Sequence, residues 1–159
     1  MTSSYSPTHT VTNQVPTIVG HDIAAFPALV EGLHREGAGW AEAEVRALGA
    51  RANSETVQQW GRLANEHPPV LRTHDRFGNR IDEVDYLPQY HDLMRTAVEH
   101  GLHGAPWAGA EPGAHVARAA KVMAWGVADA GHLCPISMTY AVIPALKFNP
   151  QIEIGRAHV

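Results

Sequence analysis

The chain lacks most features that mark secreted or membrane proteins. Cysteine is nearly absent, since Cys134 is the single one among 159 residues; no disulfide can form within the chain, and secretion gains no support. Residues 1–8 are rich in Ser and Thr and have neither the basic nor the apolar region of a signal peptide. No stretch approaches the roughly 18 apolar residues that a membrane span needs. These absences predict a soluble, cytoplasmic protein without a membrane partner.

An excess of positive charge is also missing. The chain has 12 Lys and Arg residues against 16 Asp and Glu residues, which gives a formal net charge of −4, and neither sign forms a long run. Proteins that bind nucleic acids normally carry a basic stripe, because Lys and Arg must replace the counterions around phosphates. The sequence therefore predicts no DNA binding by this chain.

What remains is the composition of a globular domain. Hydrophobic residues make up 45% of the chain and charged residues 18%, which is typical of folded proteins and not of disordered ones. A chain of this length is about one domain. It can bury roughly two thirds of the surface that its unfolded state exposes.

Apolar residues recur at helical spacing along most of the sequence, which predicts a mainly α-helical fold. Helices are expected from Asp22 to about His34, from Trp40 to Gly49, from a cap at Asn53 or Ser54 to Pro68, from Pro88 to Gly101, from Gly113 to Ala130 and from Pro135 to Leu146. Small residues in the fifth of these helices allow a neighbouring helix to approach closely. Either an orthogonal or an up-and-down bundle fits this pattern.

One segment departs from the helical pattern. Residues 70–74 and 80–84 flank the turn-forming residues 75–79. This arrangement predicts a small β-hairpin between two helices.

Candidate chemical groups are scattered. The chain has eleven histidines, but His100 and His103 are separated by the helix-ending Gly101, and the others are not grouped at the spacing that zinc ligands favour. No metal site is predicted, and the sequence contains no phosphate-binding glycine loop. Cys134 and His132 are neighbours in sequence, whereas catalytic Cys–His pairs come together from separate places. We therefore expect Cys134 to be a buried and inert residue.

Six blocks of the sequence carry a family resemblance. They are THTV and NQ within 8–14, REGAGW at 35–40, GRLAN at 61–65 followed by the proline pair 68–69, RFGNRIDEV at 76–84, HVARAA at 115–120 and AGHLCPISMTY at 130–140. In these blocks, and in their order, the chain resembles the N-terminal part of AidB-like proteins, a branch of the acyl-CoA dehydrogenase family. The resemblance covers nearly all of residues 8–146.

The resemblance implies a subunit of three parts: an N-terminal helical domain, a middle β-domain and a C-terminal helical bundle. FAD lies between the last two parts, and a glutamate of the bundle removes a proton from the acyl-CoA while the flavin accepts hydride. AidB-like members are associated with the response to DNA alkylation. The chain is thus expected to be an N-terminal fragment of an oxidoreductase-type flavoprotein, itself inactive and unable to retain FAD. Its expected partners are its own β-domain and bundle, within a homo-oligomer, a tetramer.

The chain is expected to have three segments. Residues 1–20 are expected to form an extended N-terminal arm and residues 21–146 the helical domain. Residues 147–159 no longer follow the family, and Asn149 with Pro150 breaks the helical pattern. We interpret this tail as a junction artefact.

The resemblance implies a possible site in one helix. In the family the last helix of this domain lines the acyl-chain cavity, and the match places Ile136, Met138, Thr139 and Ile143 on or near it. Ordinary core packing is the alternative for each residue. No catalytic or cofactor-binding residue can be assigned within the chain. The alternative to a flavoprotein fragment is a non-catalytic helical interaction module.

Overall fold

The computed structural model describes residues 12, 15, 17–109, 111–149 and 151, and most of the predicted arm lies outside these residues. Its helices are α1 (Pro27–Arg35), α2 (Glu42–Ala52), α3 (Glu55–Glu66), α4 (Pro88–Glu99), α5 (Ala105–Ala108), α6 (Ala114–Trp125) and α7 (Leu133–Lys147), and its strands are β1 (Val70–His74) and β2 (Arg80–Asp85). The predicted fold class, mainly helical with one small hairpin, is confirmed. No described helix is both long enough and apolar enough to cross a membrane.

The first predicted helix is divided in two. Asp22 caps a single 3-10 turn, Ile23–Ala25, by accepting a hydrogen bond from the backbone N–H of Ala24 at 2.9 Å. Phe26 then has an extended backbone, and Pro27 starts α1. The division follows from Pro27, which disfavours a helical conformation of the residue before it and suits the first turn of a helix itself.

The third helix begins where a cap was predicted. The side chain of Ser54 accepts a hydrogen bond from the N–H of Val57, so Ser54 and not Asn53 is the N-cap of α3. Asn53 is buried, and its side-chain amide donates to the carbonyl of Gly49 at 3.0 Å. This hydrogen bond satisfies a carbonyl group in the last turn of α2. Each of the two neighbouring polar residues thus serves a different helix.

The hairpin forms as predicted. Strands β1 and β2 are antiparallel, with Leu71 opposite Val84, and the Asp75 carboxylate accepts hydrogen bonds from the N–H groups of Phe77 and Asn79. Hydrogen bonds from Asn79 are the main reason that the pKa of Asp75 is lowered. Nearly all strand residues are exposed, so the hairpin adds little to the core.

The helix predicted from Gly113 to Ala130 is shorter. α6 ends at Trp125, and the chain turns before α7 begins at Leu133, two residues ahead of the predicted start. The turn is held by Asp129, whose carboxylate accepts hydrogen bonds from the backbone N–H of His132 at 2.9 Å and from its Nδ1 at 3.0 Å. Residues 126–130 therefore form a tight connection and not a further helical turn.

Helix α6 lies at the centre of the fold. One core cluster joins it to α1 and α2 through Leu33, Ala38, Ala41, Val45, Ala117, Ala120 and Ala124. A second cluster surrounds the fully buried Trp125 and contains Leu48, Ala52, Val57, Leu93, Ala97, Leu102, Ala128 and Ile136. The predicted role of the small residues is confirmed, since three alanines form the buried face of α6 against its neighbours.

Candidate functional site

The four residues predicted to line an acyl cavity lie on different faces of α7. Ile136 and Ile143 are buried, with 2% and 7% of their surface exposed. Met138 is 67% exposed, and Thr139 is exposed with its hydroxyl donating to the carbonyl of Pro135 at 3.1 Å. The described residues therefore do not gather the four into one cavity. Ile136 and Ile143 contribute to the core of this domain, while Met138 and Thr139 face outward.

The outward side of α7 carries an apolar stripe. Met138, Val142 and Leu146 follow one another at intervals of four residues, and all three are exposed. A helix that is apolar on every face is normally buried on every face. Met138, Val142 and Leu146 thus form an exposed apolar stripe, and the exposed Cys134 precedes it on the same face.

A polar and aromatic cluster lies where α5, α6 and α7 meet. His115 Nδ1 is 2.6 Å from the hydroxyl of Tyr140, and the rings of His115 and Trp107 contact each other edge to face at 4.5 Å. The indole N–H of Trp107 donates to the carbonyl of Tyr140 at 2.9 Å. Pro144, four residues further on in α7, has no N–H to donate to that carbonyl. Trp107 thus supplies the hydrogen bond that the helix lacks.

Arg118 connects this cluster to the core. Its Nε donates to the carbonyl of Leu102 at 2.8 Å, and its guanidinium carbon lies 3.8 Å from the centroid of the Tyr140 ring. Burial lowers the pKa of Arg118, with a smaller opposing effect of Tyr140. Among the described residues no carboxylate pairs with this guanidinium, and its Nη2 is buried without a hydrogen-bond partner.

A second charged group is built around Lys121, three residues after Arg118 on α6. Glu44 accepts hydrogen bonds from His100 Nδ1 at 2.8 Å and from Lys121 Nζ at 3.2 Å, and Lys121 also donates to the carbonyl of His100 at 2.9 Å. Burial of Glu44 opposes its ionisation, but the hydrogen bonds from His100 and Lys121 outweigh that effect and lower its pKa. The cluster ties α2, α4 and α6 together.

His132 and Cys134 do not form a catalytic pair. His132 is fully buried and donates to Asp129, so its ring is turned into the protein. Cys134 is exposed, and the prediction that it is buried was wrong. The reason is its position in the first turn of α7, where His132 and Ile136 occupy the inward face and Cys134 the outward one. Within the described ranges, no three His, Cys, Asp or Glu side chains are close enough to hold a metal ion.

A small cavity lies between α6 and the segment that contains α5. Its volume is about 200 Å³, and it is lined by Trp40, Gly101, Ala105, Pro106, Gly109, Glu111, Ala114, Ala117, Arg118 and Lys121. None of the four residues predicted to line an acyl cavity belongs to it. The predicted helices leave residues 101–113 as a connecting loop. An isolated tryptophan, Trp107, within a loop of Gly, Pro and Ala was the available signal that this segment packs against a helix.

Comparison with known proteins gives consistent matches. A family model described as the N-terminal domain of the adaptive response protein AidB matches residues 13–156. This match extends into the tail 147–159, and the boundary at residue 146 stays a prediction. The chain is 40% identical over 141 residues to the Escherichia coli (strain K12) protein named "Putative acyl-CoA dehydrogenase AidB", covering 87% of this chain and 26% of that protein.

A solved structure shows the same fold. It is the crystal structure of Caenorhabditis elegans ACDH-11 in complex with C11-CoA, which matches with a TM-score of 0.69 at 24% sequence identity and covers 91% of this chain and 25% of that chain. The chain thus spans about a quarter of the length of the relatives it matches.

Proposed function

Because this chain belongs to the family of AidB N-terminal domains, we propose that it is the N-terminal helical domain of an FAD-dependent, acyl-CoA dehydrogenase-like flavoprotein that acts in the response to DNA alkylation. The reaction proposed for the whole protein is oxidation of a CH–CH group in an acyl-CoA or a related substrate. The whole protein is proposed to be a cytoplasmic homo-oligomer, a tetramer. The domain itself is proposed to bind neither FAD nor DNA tightly.

FAD does not fit the cavity between α6 and the α5 segment. The cavity between α6 and the α5 segment has a volume of about 200 Å³, which is below the roughly 300–1,000 Å³ of sites for drug-sized ligands. A tight flavin site also needs walls and backbone donors on several sides of the ring and the pyrophosphate. Flavin binding and catalysis are therefore proposed to depend on other parts of the protein.

The observation that carries the proposal is the apolar outer face of α7. Met138 is 67% exposed and Val142 44% exposed, and each large apolar side chain left in water forgoes roughly 1.5–3 kcal/mol of burial. A β-domain and a C-terminal bundle that dock on this face would cover it. Met138 and Thr139 would then face the neighbouring domains, as the proposed role in an acyl-chain cavity requires. Ile136 and Ile143 would support that wall from inside this domain.

A chimera tests this proposal. The first quarter of Escherichia coli AidB is replaced by this chain, and the purified protein is assayed for bound FAD by its absorbance after gel filtration. We expect the chimera to retain flavin, because the outer face of α7 would meet the domains that it is built to contact. A chimera that folds but stays colourless would contradict the proposal.

Two variants of the chimera locate the contact. Met138→Asp places a charge on the outer face of α7 and is expected to lower flavin retention by disturbing domain docking. Gln59→Asp changes an exposed residue of α3 and is the matched control, expected to retain flavin. Equal flavin content in both variants would show that the α7 face is not the docking surface.

The alternative, a non-catalytic helical interaction module, rests on the two internal core clusters, which give this domain a core of its own. The same chimera separates the two functions. An interaction module has no need to complete a flavoprotein, so under this alternative the chimera would not retain flavin.

A further inference from the structure

The cavity between α6 and the α5 segment combines apolar walls with cationic side chains. Trp40, Pro106 and Ala114 contribute to the walls, and Arg118 and Lys121 approach from α6. The indole N–H of Trp40 donates to the carbonyl of Pro112 at 3.0 Å, which holds the tryptophan against the loop before α6. The cavity is therefore bounded by groups that other contacts keep in place.

The charge of Arg118 is not compensated within the described part of the chain. The guanidinium is part-buried, it donates to the carbonyl of Leu102 and it stacks on Tyr140, but no carboxylate among the described residues is within ion-pair distance. Its Nη2 is buried and has no hydrogen-bond partner in the part of the chain that the structure describes. Burying a charge is costly unless it is paired and hydrogen-bonded. An anion bound in the cavity would supply the missing charge.

Lys121 adds a second donor. Its ammonium group donates to Glu44 and to the carbonyl of His100. An ammonium group has three N–H donors, so one donor is left for a ligand. Because Glu44 already balances the charge of Lys121, the uncompensated charge beside the cavity is that of Arg118.

We propose that this cavity is a binding site for a small monocarboxylate with a short apolar tail. The carboxylate pairs with Arg118 and accepts a hydrogen bond from Lys121, after a small rearrangement that opens the buried Nη2 to the ligand. The tail lies along Trp40, Pro106 and Ala114. The volume of about 200 Å³ sets the size of the ligand, since larger organic ligands occupy sites of roughly 300–1,000 Å³. The site lies apart from the outer face of α7 and does not depend on the proposed flavoprotein function.

Glu111 provides a check on the sign of the ligand charge. It lines the cavity and is exposed, so its carboxylate repels a bound anion through solvent. Removing this charge by Glu111→Gln is expected to tighten the binding of an anion severalfold at low salt, whereas it would weaken the binding of a cation.

The test is a titration of the 159-residue chain with hexanoate, followed by the shifts of backbone amide resonances in NMR spectra. We expect saturable binding at one site with a Kd of roughly 1 mM or tighter, and shifts centred on residues 101–121. Hexanamide has the same apolar tail as hexanoate but no charge. Acetate has the same carboxylate charge but lacks the tail. Both are expected to bind roughly tenfold more weakly or worse.

Three variants connect the binding to named side chains. Arg118→Gln is expected to weaken hexanoate binding at least roughly tenfold, and Ala114→Leu is expected to abolish it by filling the cavity. Arg95→Gln is the matched control, since Arg95 is an exposed arginine of α4 that pairs with Asp92 and does not line the cavity. It is expected to leave hexanoate binding unchanged.

Equal affinity for hexanoate and hexanamide would overturn the proposal, because it would show that Arg118 is not used. Equal affinity for hexanoate and acetate would overturn it as well, because the apolar walls would have no role. Shifts centred outside residues 101–121 would place the site elsewhere. If Arg118→Gln fails to fold, the comparison of the three ligands on the unchanged chain still decides the outcome.

Discussion

Individual residues decide how tightly the helices approach one another. The clearest case is Gly61 in α3, where a Cβ atom would lie 1.9 Å from the carbonyl oxygen of Ala128. The turn after α6 therefore packs directly against the α3 backbone. A side chain at position 61 would have to displace the backbone at Ala128. Backbone in a packed turn yields less easily than an exposed side chain would.

We expect Gly61→Ala to destabilise the domain by about 2–3 kcal/mol, the cost of overpacking at a rigid contact. Gly32→Ala is the matched control, since Gly32 lies within α1 and a Cβ there meets nothing within 4 Å. That change is expected to stabilise the protein by about 0.5–1 kcal/mol through the helix propensity of alanine. Urea denaturation of both variants measures the difference. Similar free energies of unfolding would show that the α3 contact yields easily.

His132 gives the domain a pH-dependent stability. Burial lowers the pKa of His132 below its ordinary value of 6.5, and the hydrogen bond to Asp129 opposes this shift only in part. At pH values below 6.5 this histidine binds a proton more readily in the unfolded chain than in the folded one. The free energy of unfolding therefore falls as the pH is lowered. The slope contributed by one such group is at most about 1.4 kcal/mol per pH unit.

The measurement is urea denaturation at about pH 7.5 and about pH 5.5, for the unchanged protein and for His132→Asn. Asparagine keeps an amide donor towards Asp129 but does not titrate, so its stability is expected to vary less over this range. The lowered pKa of Glu44 adds a loss of stability only as the pH falls below its ordinary value of 4.5. An equal pH dependence in both proteins would exclude His132 as the source.

At the scale of elements, α5 and α7 depend on each other. Pro144 leaves the carbonyl of Tyr140 without its helical hydrogen bond, and the indole N–H of Trp107 in α5 donates to it. The interruption within α7 thus becomes the point at which α5 is attached. Lys147 extends the same contact, because its ammonium group donates to the carbonyl of Trp107 at 3.2 Å.

A double-mutant cycle tests this dependence. Trp107→Phe alone is expected to cost about 1–3 kcal/mol, because the Tyr140 carbonyl loses its donor. In a Pro144→Ala background the helix supplies its own N–H, so the same change is expected to cost at least roughly 1 kcal/mol less. Urea denaturation of the four proteins gives the coupling energy. Strict additivity would mean that the Trp107 hydrogen bond does not replace the one that Pro144 removes.

At the scale of the whole molecule, the two faces of α7 have opposite roles. Ile136 belongs to the core cluster around Trp125, whereas Met138 is exposed. Ile136→Asp is expected to unfold the chain, because burying a charge costs several kcal/mol against a typical total stability of about 5–15 kcal/mol. Met138→Asp is expected to leave the chain folded and to reduce self-association through the exposed apolar stripe. Circular dichroism and sedimentation velocity measure these outcomes. Unfolding by Met138→Asp would show that this face packs within the domain.

The charge balance of the whole chain gives a separate prediction. The chain has 12 basic residues against 16 acidic ones. Binding to duplex DNA is therefore expected to be weak at about 150 mM salt, because few phosphate counterions can be replaced. Fluorescence anisotropy with labelled duplex measures this affinity. Submicromolar binding that weakens steeply with salt would reveal a basic surface that the net charge conceals.

The sequence by itself determined the features that depend on neighbouring residues. The Ser54 cap, the spacing of apolar residues in α3 and α4, and the turn at Asp75 are local signals, and the elements that they predict are present. The order of the motifs also predicted the family, which the match to residues 13–156 confirmed.

Only the tertiary structure decided what depends on contacts between distant parts of the chain. The outward position of Cys134 and the separation of Ile136 from Met138 follow from which face of α7 meets a neighbour. The hydrogen bond from Trp107 to Tyr140 and the approach of Arg118 to Leu102 join residues 33 and 16 positions apart. Local periodicity predicts that a helix has an inner and an outer face. Which side chains of distant elements contact that helix is decided by how the elements pack together.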